Sequence, residues 1–241
     1  MASPKRTNDE ASRRSGEGGE ASSFHMEEIK TCLSSFVDSG SIESRRYYLA
    51  RRTALEMIRD RGYSVPPSEI DLTLEEFRAC YGEVPDVDRL QVLVSHSSET
   101  SKKLKLSFAG PVVINVSWVR QVALLDANGE GWTDLILVVE GKVTSQAQKA
   151  LELFKFKVEV FVIGDLLVNI TKHVLMPAHE VLSDQGKQKL LKKYSIDEKQ
   201  IPRILLTDAI VRYYGLEKGQ IVKISYNAGI ADGHVTYRCV S

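Results

Sequence analysis

An α/β domain followed by a small mixed α+β domain is the fold that this 241-residue sequence predicts. Three observations carry the reading. Residues 103–162 run strand–helix–strand–helix–strand, the order of a sheet layered with helices. After about residue 168 the elements shorten, lysines become more frequent, and a proline stands at each of two junctions, Pro177 and Pro202. Two alternating stretches, 220–226 and 234–240, then close the chain as an antiparallel pair, with Gly229 and Gly233 between them.

Taken in order, residues 1–23 are Ser, Gly, Glu and Arg with almost no large apolar side chain. Burial there does not offset the entropy of ordering, so residues 1–43 are expected to form a disordered or loosely ordered tail. Lys5-Arg6 and Arg13-Arg14 have the look of a bipartite nuclear signal, although paired basic residues are also common in solvated tails. From Ser44 the pattern turns helical, with Tyr47, Ala50, Ala54 and Met57/Ile58 on one face and Arg45, Arg52 and Arg59 on others. Gly62 supplies a stop. Pro66-Pro67 breaks the chain, and Thr73-Leu74-Glu75-Glu76 is a capping-box start for a short helix that carries Phe77.

Strands are expected at residues 90–94 and 103–108, the second alternating so as to bury one face and wet the other. Val112, Val116, Val119 and Ala123 return to helical spacing, and Asn128-Gly129 marks a turn. Residues 134–139 are an apolar run suited to a strand buried on both faces. Thr144 or Ser145 caps a helix with an Ala147, Ala150, Leu151 and Phe154 stripe, and residues 157–162 form the next strand. A domain boundary at 168 divides 44–168 from 169–241. In the second part Ser183 begins a helix with Leu190, Leu191 and Tyr194 inward, and Thr207 or Asp208 caps another that ends at Tyr213-Tyr214-Gly215.

Composition narrows the function classes. Apolar residues make up 43% and charged residues 27%, the balance of a globular protein. Residues 1–44 hold 5 Lys+Arg against 8 Asp+Glu, residues 45–168 hold 16 against 17, and residues 169–241 hold 11 against 7. The formal charge of the whole is zero, which argues against autonomous tight DNA binding, since that binding is built on neutralising phosphates. Cys32, Cys80 and Cys239 are far apart and suit a reducing compartment. No apolar leader and no run of about 18 apolar residues points to a membrane. Asn169-Ile170-Thr171 matches a glycosylation sequon and is read as accidental.

One family is resembled over roughly residues 45–241. Leu166-Leu167-Val168-Asn169-Ile170-Thr171-Lys172-His173, Gln200-Ile201-Pro202-Arg203-Ile204, Asp208 through Arg212-Tyr213-Tyr214-Gly215, Lys218-Gly219-Gln220-Ile221-Val222-Lys223-Ile224 and Thr236-Tyr237-Arg238 follow one another as in the fifth subunit of eukaryotic nuclear RNA polymerases. The C-terminal domain of that family is similar to a small assembly subunit of the archaeal RNA polymerase. Arg59-Asp60-Arg61-Gly62-Tyr63 and Thr73-Leu74-Glu75-Glu76-Phe77-Arg78 extend the likeness into the first half. Ser44-Arg45-Arg46-Tyr47-Tyr48-Leu49-Ala50-Arg51-Arg52 and Pro85-Asp86-Val87-Asp88-Arg89-Leu90 look more like the plant variant assigned to RNA polymerase V, the enzyme of RNA-directed DNA methylation.

The resemblance implies a restriction-endonuclease-like α/β jaw domain at 44–168, near downstream duplex DNA, and an assembly domain at 169–241 that docks on the largest subunit, in the nucleus. In the family a Thr-Pro-Ser-Ala turn opens the helix beside that DNA. Here Thr144 and Ala147 match while Ser145 and Gln146 replace the middle pair, and Lys142 and Lys149 flank it as phosphate-facing cations.

Each sharp reading has a plain rival. A nuclease needs clustered carboxylates and a lysine, and Glu140-Gly141-Lys142 with Asp126 or Asp134 upstream has that spacing; yet E-x-K is frequent where a strand re-enters solvent. His96, His173, His179 and His234 stand singly, as packed or surface histidines do. No cofactor loop or nucleophile elbow is present, so no catalytic or metal-binding residue is assigned. Pro202, Arg203, Arg212, Tyr213 and Tyr214 serve either as interface anchors or as cap and core residues, with one of the two tyrosines expected in the core. A stand-alone nuclear adaptor is the rival to a polymerase subunit.

Overall fold

The protein is described by a computed structural model, covering residues 38, 40–127, 131–226 and 233–241, with the side chains of 123–127 left aside. The expected tail, its basic pairs, Cys32, the Asn128-Gly129 turn and Gly229 lie outside the described residues.

Helix α1 (Ile42–Asp60) begins ahead of the expected start, because Ser41 caps it by accepting from the Ser44 N–H. Ser41 is itself held by Glu83, whose carboxylate takes the Ser41 N–H at 2.7 Å. The expected stripe is buried, and Arg45, Arg52 and Arg59 are exposed. The second half of the helix is buried almost all round, including Arg51 and Glu56, which periodicity alone does not reveal. Pro66-Pro67 does interrupt the chain, but Pro67 also opens a one-turn helix, α2 (Pro67–Ile70), since its fixed φ suits the first helical position. Helix α3 (Leu74–Tyr81) carries the expected Thr73/Glu76 capping box and buries Phe77.

The first sheet runs in the order β1 (Val92–Ser95), β2 (Lys103–Phe108), β3 (Asp134–Val139), β4 (Lys157–Val162). β1 is antiparallel to β2, and β2, β3 and β4 are parallel. Residues 87–90 form a 3-10 turn, so the first strand starts later than expected. Helices α4 (Val116–Ala127) and α5 (Ser145–Glu152) are the crossovers between the parallel strands. Leu137 and Val139 face the cluster containing Val119, Ala147 and Leu151; Ile136 and Val138 face the cluster built on α1. β3 is therefore buried on both faces, as its unbroken apolar run requires. The wet face expected for β2 is absent: Lys105 is buried with Leu104 and Leu106, because the sheet is packed on both sides.

The second sheet runs β5 (Ala178–Val181), β7 (Ile221–Ser225), β8 (Val235–Val240), β6 (Arg203–Ile204). β7 and β8 are the expected antiparallel pair, and β6 lies parallel to β8. Helix α6 (Asp184–Tyr194) is capped by Ser183, and α7 (Ala209–Tyr214) by Asp208, whose side chain accepts from the Ile210 N–H. Leu190 is buried, but Tyr194, expected inward, lies half exposed beside Tyr237. Residues 41–241 cluster as one compact unit that contains both sheets.

Candidate functional site

Three places bear on function: the seam between the sheets, the loop that opens α5, and a groove beside β6.

The seam is built from the end of α1. Arg61, its side chain 8% exposed, donates from Nε to the Tyr213 carbonyl at 2.8 Å and from Nη2 to the Arg212 carbonyl at 2.6 Å. Those are last-turn carbonyls of α7; the Arg212 carbonyl also accepts from the Gly215 N–H, and the guanidinium gives both a charged donor. The same guanidinium forms a two-point pair with Glu159 of β4 at 3.0 and 2.8 Å. Beside it the Tyr213 hydroxyl donates to Asp60 at 2.8 Å and accepts from Asn169 at 3.2 Å. Asn169 also donates to Glu56 at 2.7 Å, and Lys172 pairs with the same carboxylate. Burial pushes the Glu56 carboxyl up, but the donors Lys172 and Asn169 outweigh it and hold the pKa below the usual value. Burial, with Asp60 accepting from its hydroxyl, raises the Tyr213 pKa.

Of the residues expected to meet a partner, Arg212 and Tyr213 belong to this seam. Arg212 donates to the Val160 carbonyl at 2.7 Å, pairs with Asp165 at 3.3 Å and lies 4.5 Å from the Phe161 ring centre. Val160 is on β4, an outer strand of its sheet, so Arg212 covers part of a sheet edge. Tyr213 is buried and Tyr214 half-buried, their rings edge to face. Pro202 and Arg203 lie elsewhere and are exposed. Arg203 stands with Arg238, His179, Ile204 and Leu205 along an open groove, and Leu205 and Leu206 next to it are 64% and 45% exposed.

The α5 loop gathers the residues expected near DNA. Thr144 is the cap: its Oγ1 accepts from the Ala147 N–H at 3.2 Å. Ser145, Gln146, Lys142 and Lys149 are exposed, while Ala147 is fully buried and anchors the helix. The strand end before the loop is pinned. Glu140 accepts from Arg46 and from the Tyr47 hydroxyl, at 3.2 Å for the latter. A side chain on Gly141 would put its Cβ 2.1 Å from the Val112 carbonyl oxygen, so only glycine fits. Lys142 and Thr144 exchange backbone bonds with Ile114 at 3.0 Å each.

This geometry bears on the nuclease spacing. Asp134 and Glu140 sit at opposite ends of β3, about 20 Å apart for six residues of strand. Asp134 accepts from Thr133 and Tyr63, and burial, then Asp134, raises the Tyr63 pKa to about 12. The Asp126 side chain lies outside the described residues. Among the described residues no group of three metal-ligating side chains comes together, and no helix is long and apolar enough to cross a membrane. His96 packs edge to face on Tyr63.

Glu56, Arg61 and Asn169 hold the seam together, and sequence reasoning gives them no role. Arg61 falls only inside a family-like string, and Asn169 only inside a sequon. Both belong to polar contacts between residues more than 40 positions apart, a separation no local pattern encodes.

The two halves match two family descriptions. "RNA polymerase Rpb5, N-terminal domain" matches residues 41–124, and "RNA polymerase Rpb5, C-terminal domain" matches residues 168–240. That defines the class: a small subunit of multi-subunit RNA polymerases. Among curated relatives, DNA-directed RNA polymerase V subunit 5A of Arabidopsis thaliana is 56% identical, covering 87% of this chain and 94% of its own length. DNA-directed RNA polymerases IV and V subunit 5B of the same plant is 52% identical over 85% and 94%. Subunit RPABC1 of DNA-directed RNA polymerases I, II and III from Caenorhabditis elegans is 32% identical over 83% and 97%. The chain belongs to the Rpb5 family of DNA-directed RNA polymerase subunits.

Proposed function

We propose that this chain is a non-catalytic, structural subunit of a plant nuclear RNA polymerase, the RNA polymerase V of RNA-directed DNA methylation. In this reading residues 44–168 act as the jaw and residues 169–241 as the assembly domain. The single observation that carries it is the high identity, over nearly the whole chain, to subunit 5A of that enzyme.

The assembly domain docks on the largest subunit through the exposed groove at Pro202 and Arg203. Exposed leucines there supply area, and Arg203 and Arg238 supply directional donors. Within the assembled enzyme the jaw meets downstream duplex DNA through Lys142, Ser145, Gln146 and Lys149, positioned by the Thr144 cap and the buried Ala147. The contact is auxiliary, because a chain of zero net charge lacks the phosphate-neutralising excess of an autonomous binder. A non-catalytic role is supported by Glu140 being engaged by Arg46 and Tyr47 rather than open to a metal ion.

The test is native purification of the tagged protein from plant nuclei, with mass spectrometry of co-purifying largest subunits. Recovery of the RNA polymerase V largest subunit alone is expected. Several largest subunits would make the chain a shared subunit, and none would leave it a stand-alone adaptor. Incubation of the purified protein with duplex DNA and Mg²⁺ tests the second half: cleavage that Glu140→Ala abolishes overturns the non-catalytic assignment.

A further inference from the structure

Arg46 enters the reading above only as a partner of Glu140, yet its surroundings point beyond simple packing. It sits in the first turns of α1 and reaches across to Glu140, the residue that follows β3 and begins the loop leading to α5. Of the two, Arg46 is the more exposed, at 39% against 16% for Glu140. The guanidinium therefore lies over the carboxylate and faces outward. Tyr47 donates to the other oxygen of the same carboxylate at 3.2 Å, so both oxygens are engaged.

Two consequences follow from elementary electrostatics. A bare carboxylate two residues from Lys142 would oppose that lysine and repel any phosphate approaching the α5 opening, since like charges placed together cost interaction energy. Paired with Arg46, the same position presents a neutral ion pair with its more exposed partner cationic. The second consequence is geometric. Between Glu140 and Thr144 the loop is tied at three points: Gly141 lies against the Val112 carbonyl, and Ile114 bonds both Lys142 and Thr144. A shift of Glu140 is passed on to the cap. The link to α1 thus holds the loop at one height relative to the helix layer.

We propose that Arg46 is a positioning and charge-compensating residue for the DNA-facing loop, acting through Glu140 to make the α5 opening acceptable to duplex-DNA phosphates. This rests on the reading that the α5 loop faces downstream DNA. It adds a residue almost 100 positions upstream of that loop, on a different element, which no spacing pattern connects with Lys142.

The test uses the assembled polymerase with a photo-crosslinking amino acid at position 146 and a downstream duplex of random sequence. Arg46→Gln keeps length and polarity but removes the charge, Arg46→Lys restores it, and Arg45→Gln changes an exposed neighbour on α1. Crosslink yield at moderate salt is expected to fall up to about fivefold in Arg46→Gln, the upper scale for a partly exposed ion pair. It should recover most of that loss in Arg46→Lys and be unchanged in Arg45→Gln, with co-purification of the other subunits unaltered in all three. A wild-type yield in Arg46→Gln overturns the assignment. A loss in Arg46→Gln that Arg46→Lys fails to restore overturns the charge-compensating role. An absent crosslink in the wild-type enzyme overturns the DNA-facing reading itself, and the assignment with it.

Discussion

The Nε of Arg61 donates to the carbonyl of Tyr213 at 2.8 Å, across 152 positions of sequence. This bond ties the end of α1 to the end of α7, and through Glu159 the same guanidinium ties both to β4. The two sheets are therefore joined by a buried polar centre as well as by apolar packing. Such a centre is stable only when every member is satisfied. Arg61→Ala leaves Glu159 with only Lys157 among the described residues, at 3.6 Å, and takes one donor each from the Tyr213 and Arg212 carbonyls, the latter keeping the Gly215 N–H. Chemical denaturation should show a loss of about 3 kcal/mol, the scale for breaking a buried pair by removing one side. A loss under about 0.5 kcal/mol would mean that water replaces the guanidinium at no cost.

Gly215 is fixed by the same residue. It ends α7 at φ +62°, and a Cβ there would lie 2.8 Å from Nη1 of Arg61. Arg61 has no room to swing aside, because four of its hydrogen bonds hold it. Gly215→Ala combines left-handed strain with that clash and should cost about 2 kcal/mol. Gly164→Ala is the control, since nothing lies within 4 Å of its Cβ position. It should change the denaturation midpoint little. In an Arg61→Ala background the Gly215→Ala cost should drop toward the strain alone, a coupling that a double-mutant cycle reads directly.

What the sequence revealed and what it hid divide along one physical line. Features written in neighbouring residues were legible: the Thr73 capping box, strands β2, β3 and β4 and the Ser183 cap follow from spacings of two to four, and the caps of α5 and α7 were narrowed to adjacent pairs, 144/145 and 207/208, between which the structure decides for Thr144 and Asp208. Features decided by what packs against an element were not. β2 looks amphipathic and is buried on both faces, since a second layer covers it. Tyr194 fits an inward stripe, yet as the last residue of α6 it lies half exposed against Tyr237. The loop at 142–149 was legible as a candidate because its residues are contiguous. The seam was not, because Glu56, Asp60, Arg61, Glu159, Asn169 and Tyr213 come from separate stretches of chain.

Glu56 gives the seam a pH dependence. Its side chain is 3% exposed and takes hydrogen bonds from Asn169 and Lys172. Burial raises its pKa, but those donors prevail, so the folded value lies below the ordinary 4.5. A carboxylate with a depressed folded pKa contributes stability that is fully present above its unfolded pKa. That stability is lost as pH falls through the folded value. Urea midpoints measured from pH 7 down to pH 3 should therefore decline below about 4.5. In Glu56→Gln the overall stability should be lower at pH 7 and the acid decline shallower. Parallel pH curves for the two proteins would remove Glu56 from the account.

Tyr213→Phe isolates one strand of the same centre. The hydroxyl donates to Asp60 and accepts from Asn169, while the ring packs in the core around α1. Phenylalanine keeps the ring and deletes the oxygen, leaving both polar partners short of one bond. The expected cost is about 1–2 kcal/mol, with an unchanged denaturant slope. A larger loss would signal that Asn169 reorients and releases Glu56 as well.

The opening of α5 allows a sharp comparison among adjacent positions. Thr144 caps the helix by accepting from Ala147, so Thr144→Ala should cost about 1 kcal/mol. Ser145 is the first helical residue and exposed, a position where proline is favoured because its fixed φ suits the turn. Ser145→Pro should therefore leave stability within about 0.5 kcal/mol, restoring the proline of the Thr-Pro-Ser-Ala pattern without disturbing the loop. Ala147→Pro removes the N–H that Thr144 receives and places a ring where a fully buried methyl sits. It should cost about 3 kcal/mol or more. Thermal and chemical unfolding of the three variants test the order Ser145, Thr144, Ala147 from mildest to most severe. If Ser145→Pro proved as damaging as Ala147→Pro, the helix would have to begin before Ser145, and the exposed first turn on which the DNA-facing loop depends would not exist.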